Sequence, residues 1–198
     1  MFVTFEGLDG SGTTTQSELL RQHLEESGRE VVLTREPGGT ILGERVRELV
    51  LGDTEISPWA EAALFAAARA ELVAEVIQPA LERGADVVCD RYLDSSLAYQ
   101  GIARGLGVER VLALNLEAIR GILPDVTFLL VVDPDEAKRR SGPAGDRIER
   151  EGDGFLRQVD QAYRELAATF SGRIVTIDSS KPVEEVAKEV RDKLRGLS

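Results

Sequence analysis

The stretch Phe2-Val-Thr-Phe-Glu-Gly-Leu-Asp-Gly-Ser-Gly-Thr-Thr-Thr15 decides the fold. Phe2-Val-Thr-Phe5 reads as a buried strand. A glycine-rich turn follows from Gly7 to Gly12, and a helical pattern then runs from about Thr14 to Ser27 until Gly28 stops it. Gly7-Leu-Asp-Gly-Ser-Gly-Thr13-Thr14 keeps the spacing of a Walker A loop, G-x-x-x-x-G-K-[ST], with Thr13 where that pattern asks for Lys. Most of the physics of such a loop lies in its backbone. Glycines let successive N–H groups converge on phosphate oxygens, and the helix start adds its positive dipole end. Thr14 keeps the hydroxyl that holds Mg²⁺ beside the phosphates. The point charge that reaches the β and γ phosphates is missing.

Working outward, strands alternate with helices. Strands are expected at Glu30–Thr34, Asp86–Asp90, Val126–Val132 and Arg173–Ile177. Between them, helices are expected near Leu42–Leu51, from Pro58 to about Glu82 with Ser57 as N-cap, at Asp94–Arg104, Val108–Gly121, Asp133–Arg140, Asp153–Phe170 and Val183–Leu194. Strands separated by helices imply a parallel sheet covered on both faces, and the largely apolar strands fit that burial. The chain therefore reads as α/β, a three-layer sandwich with a parallel five-stranded sheet, in a single domain over 1–198.

Composition excludes several classes. The chain has 198 residues, and 24 Lys and Arg against 35 Asp and Glu give a formal net charge of −11. Such a field repels nucleic acid and anionic membranes, so a phosphate ligand needs a local cluster of donors. Lys is scarce, four residues against 20 Arg, and Arg is the better planar phosphate ligand. A single cysteine, Cys89, and a single histidine, His23, exclude an internal disulfide and multi-Cys or multi-His metal sites. No apolar run reaches the ~20 residues of a membrane helix. Met1-Phe-Val-Thr-Phe-Glu6 lacks a basic start, so no signal peptide is expected.

Further segments stand in a telling order: Thr34-Arg-Glu-Pro-Gly-Gly-Thr40, Leu64-Phe-Ala-Ala-Ala-Arg69, Asp90-Arg-Tyr-Leu-Asp-Ser-Ser-Leu-Ala-Tyr-Gln-Gly101 and Asp146-Arg-Ile-Glu149. Together with Phe5–Gly12 the sequence resembles the thymidylate kinases over essentially its whole length. That resemblance implies a P-loop NTPase fold, ATP as co-substrate, Mg²⁺, dTMP as acceptor, a cytoplasmic location and a homodimer.

The resemblance also implies roles. The donor phosphates would lie on Gly7, Gly10, Ser11, Gly12, Thr13, Thr14 and Thr15. Thr14 would hold the metal, with Asp90 acting through water. Asp9 would position the acceptor phosphate, Arg91 and Arg47 would contact it, and Glu36 would meet the sugar or a bridging water. Phe65 would lie against thymine, Arg69 on thymine or the monophosphate, Ser96 near the base, Tyr99 on the deoxyribose and Gln100 on the thymine edge. Residues 139–150 resemble a lid that closes over ATP. With Gly10 in the loop, the catalytic arginine is expected in that lid, Arg140 first and Arg139 second, while Gly142 stands where such lids often carry Arg. Cys89 is expected buried, His23 on the polar side of its helix and Trp59 in the first turn of the long helix, all three in ordinary structural roles rather than, for Trp59, at a subunit interface.

Thr13 leaves three readings open. A lid arginine substitutes for the lysine, the chain is a variant or engineered form with reduced rate, or it binds nucleotides without useful catalysis. A kinase for another nucleoside monophosphate is a further rival, against which Phe65, Tyr99 and Gln100 speak.

Overall fold

A computed structural model describes residues 1–142 and 145–196. Five parallel strands form one sheet in the order β2-β3-β1-β4-β5. They are β1 (Phe2–Gly7), β2 (Val31–Arg35), β3 (Asp86–Asp90), β4 (Val126–Val131) and β5 (Ile174–Asp178). Alternation along the strands feeds two separate cores. Phe2, Val87, Cys89 and Leu129 point into one, and Val3, Phe5, Val88, Phe128 and Leu130 into the other. The central strands are buried on both faces, which is why their sequences read as unbroken apolar runs.

The second core is closed by α1 (Thr13–Glu26) and α9 (Val183–Arg195), through Leu20, Leu24, Val186, Val190 and Leu194. The first core takes α3 (Pro58–Leu72), α6 (Val108–Ala118) and α8 (Asp153–Thr169). Helix α2 (Ile41–Leu51), as long as α6, packs its Val46 and Val50 with Ala68 of α3 in a small third cluster, and the short helices are α4 (Gln78–Glu82), α5 (Leu93–Ser96) and α7 (Pro134–Ser141).

Several expectations need correction. The long helix after Ser57 is not uniform, because Val73–Ile77 widens into a π-helical turn between α3 and α4. Ser57 occupies the N-cap position but its hydroxyl makes no capping bond. The segment expected as a helix over 94–104 holds one α-turn, α5, and then a π-helix at Leu97–Ala103. Helix α6 stops at Ala118, where Arg120 takes a left-handed φ of 52°. Strand β2 is an edge strand with only Thr34 buried, so its outer face meets solvent. Pro143 and Ala144, inside the expected break at 141–145, lie outside the described residues. Cys89 is buried as expected, and Arg110 covers the half-exposed ring of Trp59 at 4.6 Å.

Pairing register places the chemistry. Phe5 is level with Asp90 across the β1–β3 pair, so the loop after β1 and the end of β3 open at the same edge. Strand C-termini line the ligand crevice in sheets of this kind.

Candidate active site

Two cavities meet at that edge. The larger, about 810 Å³, is lined by residues 9–16, by Arg35, Glu36, Arg47, Asp90, Arg91 and Arg140, and by the start of α9. The smaller, about 100 Å³, is lined by Phe65, Ser95, Ser96, Tyr99, Gln100 and Asp146 among others. Asp9, Glu36, Arg47 and Arg91 line both, and so mark the junction.

The loop from Gly7 to Gly12 hands over to α1 at Gly12, the N-cap, with φ of 100°. Gly10 has φ of 80°, and a Cβ there would run into the Ala137 carbonyl of α7. The loop is thus packed against α7, and Gly10 is fixed by both conformation and space. Thr13 and Thr14 open α1, and Thr13 to Thr15 line the large cavity. The Thr14 hydroxyl donates to Asp90 Oδ2 at 2.5 Å, while Asp90 Oδ1 is buried with no partner among the described residues. Ser11 Oγ is likewise buried and unpartnered.

No cluster of three or more His, Cys, Asp or Glu side chains suited to a metal exists among the described residues. Thr14 and Asp90, bonded to each other at the mouth of the loop, are the side chains that would hold a cation here. That set fits Mg²⁺, which keeps waters and substrate phosphates among its ligands, and the orphaned Oδ1 is the acceptor such an arrangement needs.

Arg91 follows Asp90 with a left-handed φ of 70°. Its guanidinium is held by Asp9 at 2.6 Å and by the Gly7 carbonyl at 2.8 Å, and it lies 5.9 Å from the Tyr99 ring centre. Beneath it, Glu6 accepts from the backbone N–H of Tyr92 and Ser95 and from the hydroxyls of Ser95 and Tyr163. Burial first, then the nearby Asp94, raises the Glu6 carboxyl to about 7. Asp94 is itself paired with Arg173 at 2.7 Å.

Arg69 does not stand among the residues lining either cavity. It is 1% exposed, and its five donors go to Glu36, Ser96, Asn115 and the Tyr92 carbonyl. A direct contact to base or phosphate would require one of these bonds to break, so Arg69 holds Glu36 and Ser96 in place. Burial pushes the Glu36 carboxyl up against the pull of that arginine.

The arginines at 139–150 divide. Arg140 lines the large cavity and donates to Glu136 and the Ser179 carbonyl. Arg139 turns to Glu136 with three quarters of its side chain exposed, outside the cavity, because the i,i+3 pairing draws it along α7. Arg147 and Arg150 face the α2–α3 side instead. Arg147 donates to Val50 O and Glu61, and Arg150 to Asp53 at 2.7 Å.

Sequence reasoning gave no role to Glu6, Tyr163 or Glu61, nor to Ser95 and Asp146, which stand in segments it singled out. Glu61, Phe65 and Arg69 recur every four residues on one face of α3, and that spacing was the available signal for Glu61.

Comparison with known proteins gives the family. The Thymidylate kinase family model matches residues 5–190. A thymidylate kinase of Bifidobacterium longum (strain NCC 2705) is 49% identical over 203 residues, covering 100% of this chain and 98% of its own length. One from Pelotomaculum thermopropionicum is 50% identical over 194 residues, covering 96% and 90%. The crystal structure of thymidylate kinase from Ehrlichia chaffeensis superposes with a TM-score of 0.83 at 35% identity, covering 98% of each chain. None of these matches supports the reading without catalysis. A parallel sheet with a phosphate loop, two joined cavities and a family match across 5–190 together place this chain in the thymidylate kinase family.

Proposed function

We propose that the protein transfers the γ-phosphoryl group of ATP to the 5′-phosphate of dTMP. The observation that carries this is the shared wall, Asp9, Glu36, Arg47 and Arg91, between a polar cavity at the phosphate loop and a small cavity lined by Phe65 and Gln100. Donor and acceptor phosphates entering from the two sides meet there.

Backbone N–H groups of residues 10–14 receive the donor phosphates at the start of α1. The stretch from Arg140 to Ser179–Val183 leaves room for the donor nucleoside at the other end of the same cavity. Mg²⁺ held by Thr14 and Asp90 would neutralise charge on the donor phosphates. Arg91 and Arg47 face the acceptor phosphate, and Asp9 aims Arg91. Phe65, Tyr99, Ser96 and Gln100 enclose the base and sugar. Catalysis then rests on positioning and charge stabilisation with no covalent step. Of the lid candidates, Arg140 is favoured and Arg139 is set aside. Residues 139–150 serve as a lid whose second half seats on the acceptor side. The exposed Leu42, Leu49 and Trp59 near α2 and α3 suit a homodimer contact, and no described helix can cross a membrane, in keeping with a cytoplasmic place.

The test is ADP release with ATP, Mg²⁺ and dTMP, run beside Thr13→Lys. Turnover that requires dTMP is expected. The variant should raise kcat on the order of 10²-fold, the scale of one well-placed charge-stabilising donor. Comparable rates in both would mean that arginines already supply the missing charge. Binding of dTMP with no turnover in either protein would overturn the assignment.

A further inference from the structure

Gln100 lines the small cavity, yet its amide is not free to choose which end faces a ligand. Its Nε2 donates to Glu61 Oε1 at 2.9 Å. Glu61 is 1% exposed, in the first turn of α3. An ionised carboxylate only accepts, so the Gln100 carbonyl oxygen must point away from it. Among the described residues nothing donates to that oxygen.

We propose that Glu61 is a positioning residue for base selection: it locks the Gln100 amide with its acceptor end toward the base. Resting on the assignment of dTMP to this cavity, this adds a rule for which pyrimidines pass. A ring with a donor N3–H, as in thymine or uracil, meets the carbonyl. Cytosine offers an acceptor at N3 and meets oxygen against nitrogen lone pair.

Glu61 is kept ionised by its other neighbours. Arg147 and Arg104 both donate to Oε2, and Arg104 also reaches Oε1 at 3.3 Å. Burial pushes the Glu61 carboxyl up, but Arg147, Gln100 and Arg104 together outweigh it and hold it below its usual range. Arg147 comes from the segment after the lid break, so the carboxylate ties that segment to the base-reading amide.

The arrangement makes a directional forecast for Glu61→Gln. Two guanidinium groups demand an acceptor at the Oε2 position, and a guanidinium cannot accept. Oε1 faces a single guanidinium donor, Arg104 Nε at 3.3 Å, so the new amide nitrogen takes that position at the loss of this one long bond and donates toward Gln100. Gln100 can answer only by flipping, which turns its NH₂ into the cavity. Preference should move from dTMP toward dCMP.

The experiment measures equilibrium binding of dTMP and dCMP to the full chain by calorimetry, with thermal unfolding as a fold control. In Glu61→Gln the ratio of the two affinities should fall by about tenfold or more, the scale of one mismatched buried hydrogen bond. In a Gln100→Met background, Glu61→Gln should leave the ratio unchanged. Arg147→Met keeps the carboxylate charged and should weaken both ligands without moving the ratio. An equal loss for both nucleotides in Glu61→Gln, or a changed ratio in Arg147→Met, would overturn the proposal. A wild-type chain that binds neither nucleotide overturns the assignment beneath it, while a wild type selective for dTMP leaves that assignment standing whatever the variants do.

Discussion

Arg69 carries a full charge to a place almost without water, and Glu36 is what makes this tolerable. Removing one partner of a buried pair leaves an uncompensated charge, which typically costs about 3–5 kcal/mol. Arg69→Met should therefore lower stability by roughly that amount in urea unfolding. Glu36→Gln with Arg69→Met should recover part of it, because the orphaned carboxylate is gone. A side chain reserved for substrate would give the opposite pattern, loss of dTMP affinity at nearly unchanged stability. At Asp90 the expectation is kinetic. Its unpartnered Oδ1 and its bond to Thr14 are what the proposed cation role of Asp90 rests on. Asp90→Asn keeps the shape and removes the charge, so half-saturation with Mg²⁺ should rise in a titration of the rate, with kcat lower.

At the scale of elements, the phosphate loop and α7 are one packed unit. Gly10→Ala must place a Cβ against the Ala137 carbonyl while holding a left-handed backbone. The backbone alone costs about 1–2 kcal/mol, and the collision adds to it by pushing α7 outward. A lower Tm and a raised KM for ATP are expected together, since Arg140 rides on α7. This unit also shows what the sequence could reveal. The strand, glycine turn and helix were legible because their period, glycine placement and apolar runs are local properties. Asp90 and Arg91 were legible for the same reason, as polar residues ending an apolar strand. The burial of Arg69 was not legible, because its partners Glu36, Ser96 and Asn115 lie 27 to 46 positions away in the chain. The π-helical turns at 73–77 and 97–103 have the composition of ordinary helices. Their extra residue per turn is imposed by packing, and 97–103 is where Tyr99 and Gln100 are turned toward the cavity. Glu61 sits on a helix face that looks like ordinary core spacing. Only the fold brings Arg104, Arg147 and Gln100 to it.

For the whole molecule, the organising group is Glu6. From the centre of the sheet it ties the start of α5 to α8, through Tyr92 and Ser95 on one side and Tyr163 on the other. Arg91 is held by the same hydroxyls, of Ser95 and Tyr163. Its position between both cores makes its charge a property of the entire fold. Burial raises its carboxyl from the usual 4.5 to about 7. Between these values the folded chain binds more protons than the unfolded one, so stability falls as pH rises through that window. The contribution is at its best below the unfolded value and is lost by the time pH passes the folded one. Integrated from pH 5.5 to 8, the loss is about 2 kcal/mol. Glu6→Gln cannot titrate, so its unfolding free energy should lose about 2 kcal/mol less than the wild type over that range. Urea unfolding of both proteins at the two pH values measures the difference directly, and every other carboxylate is common to the pair. Parallel pH profiles would mean that Arg91 and the four donors already hold Glu6 ionised at its ordinary value. The site would then owe its geometry to a charged carboxylate at every pH tested.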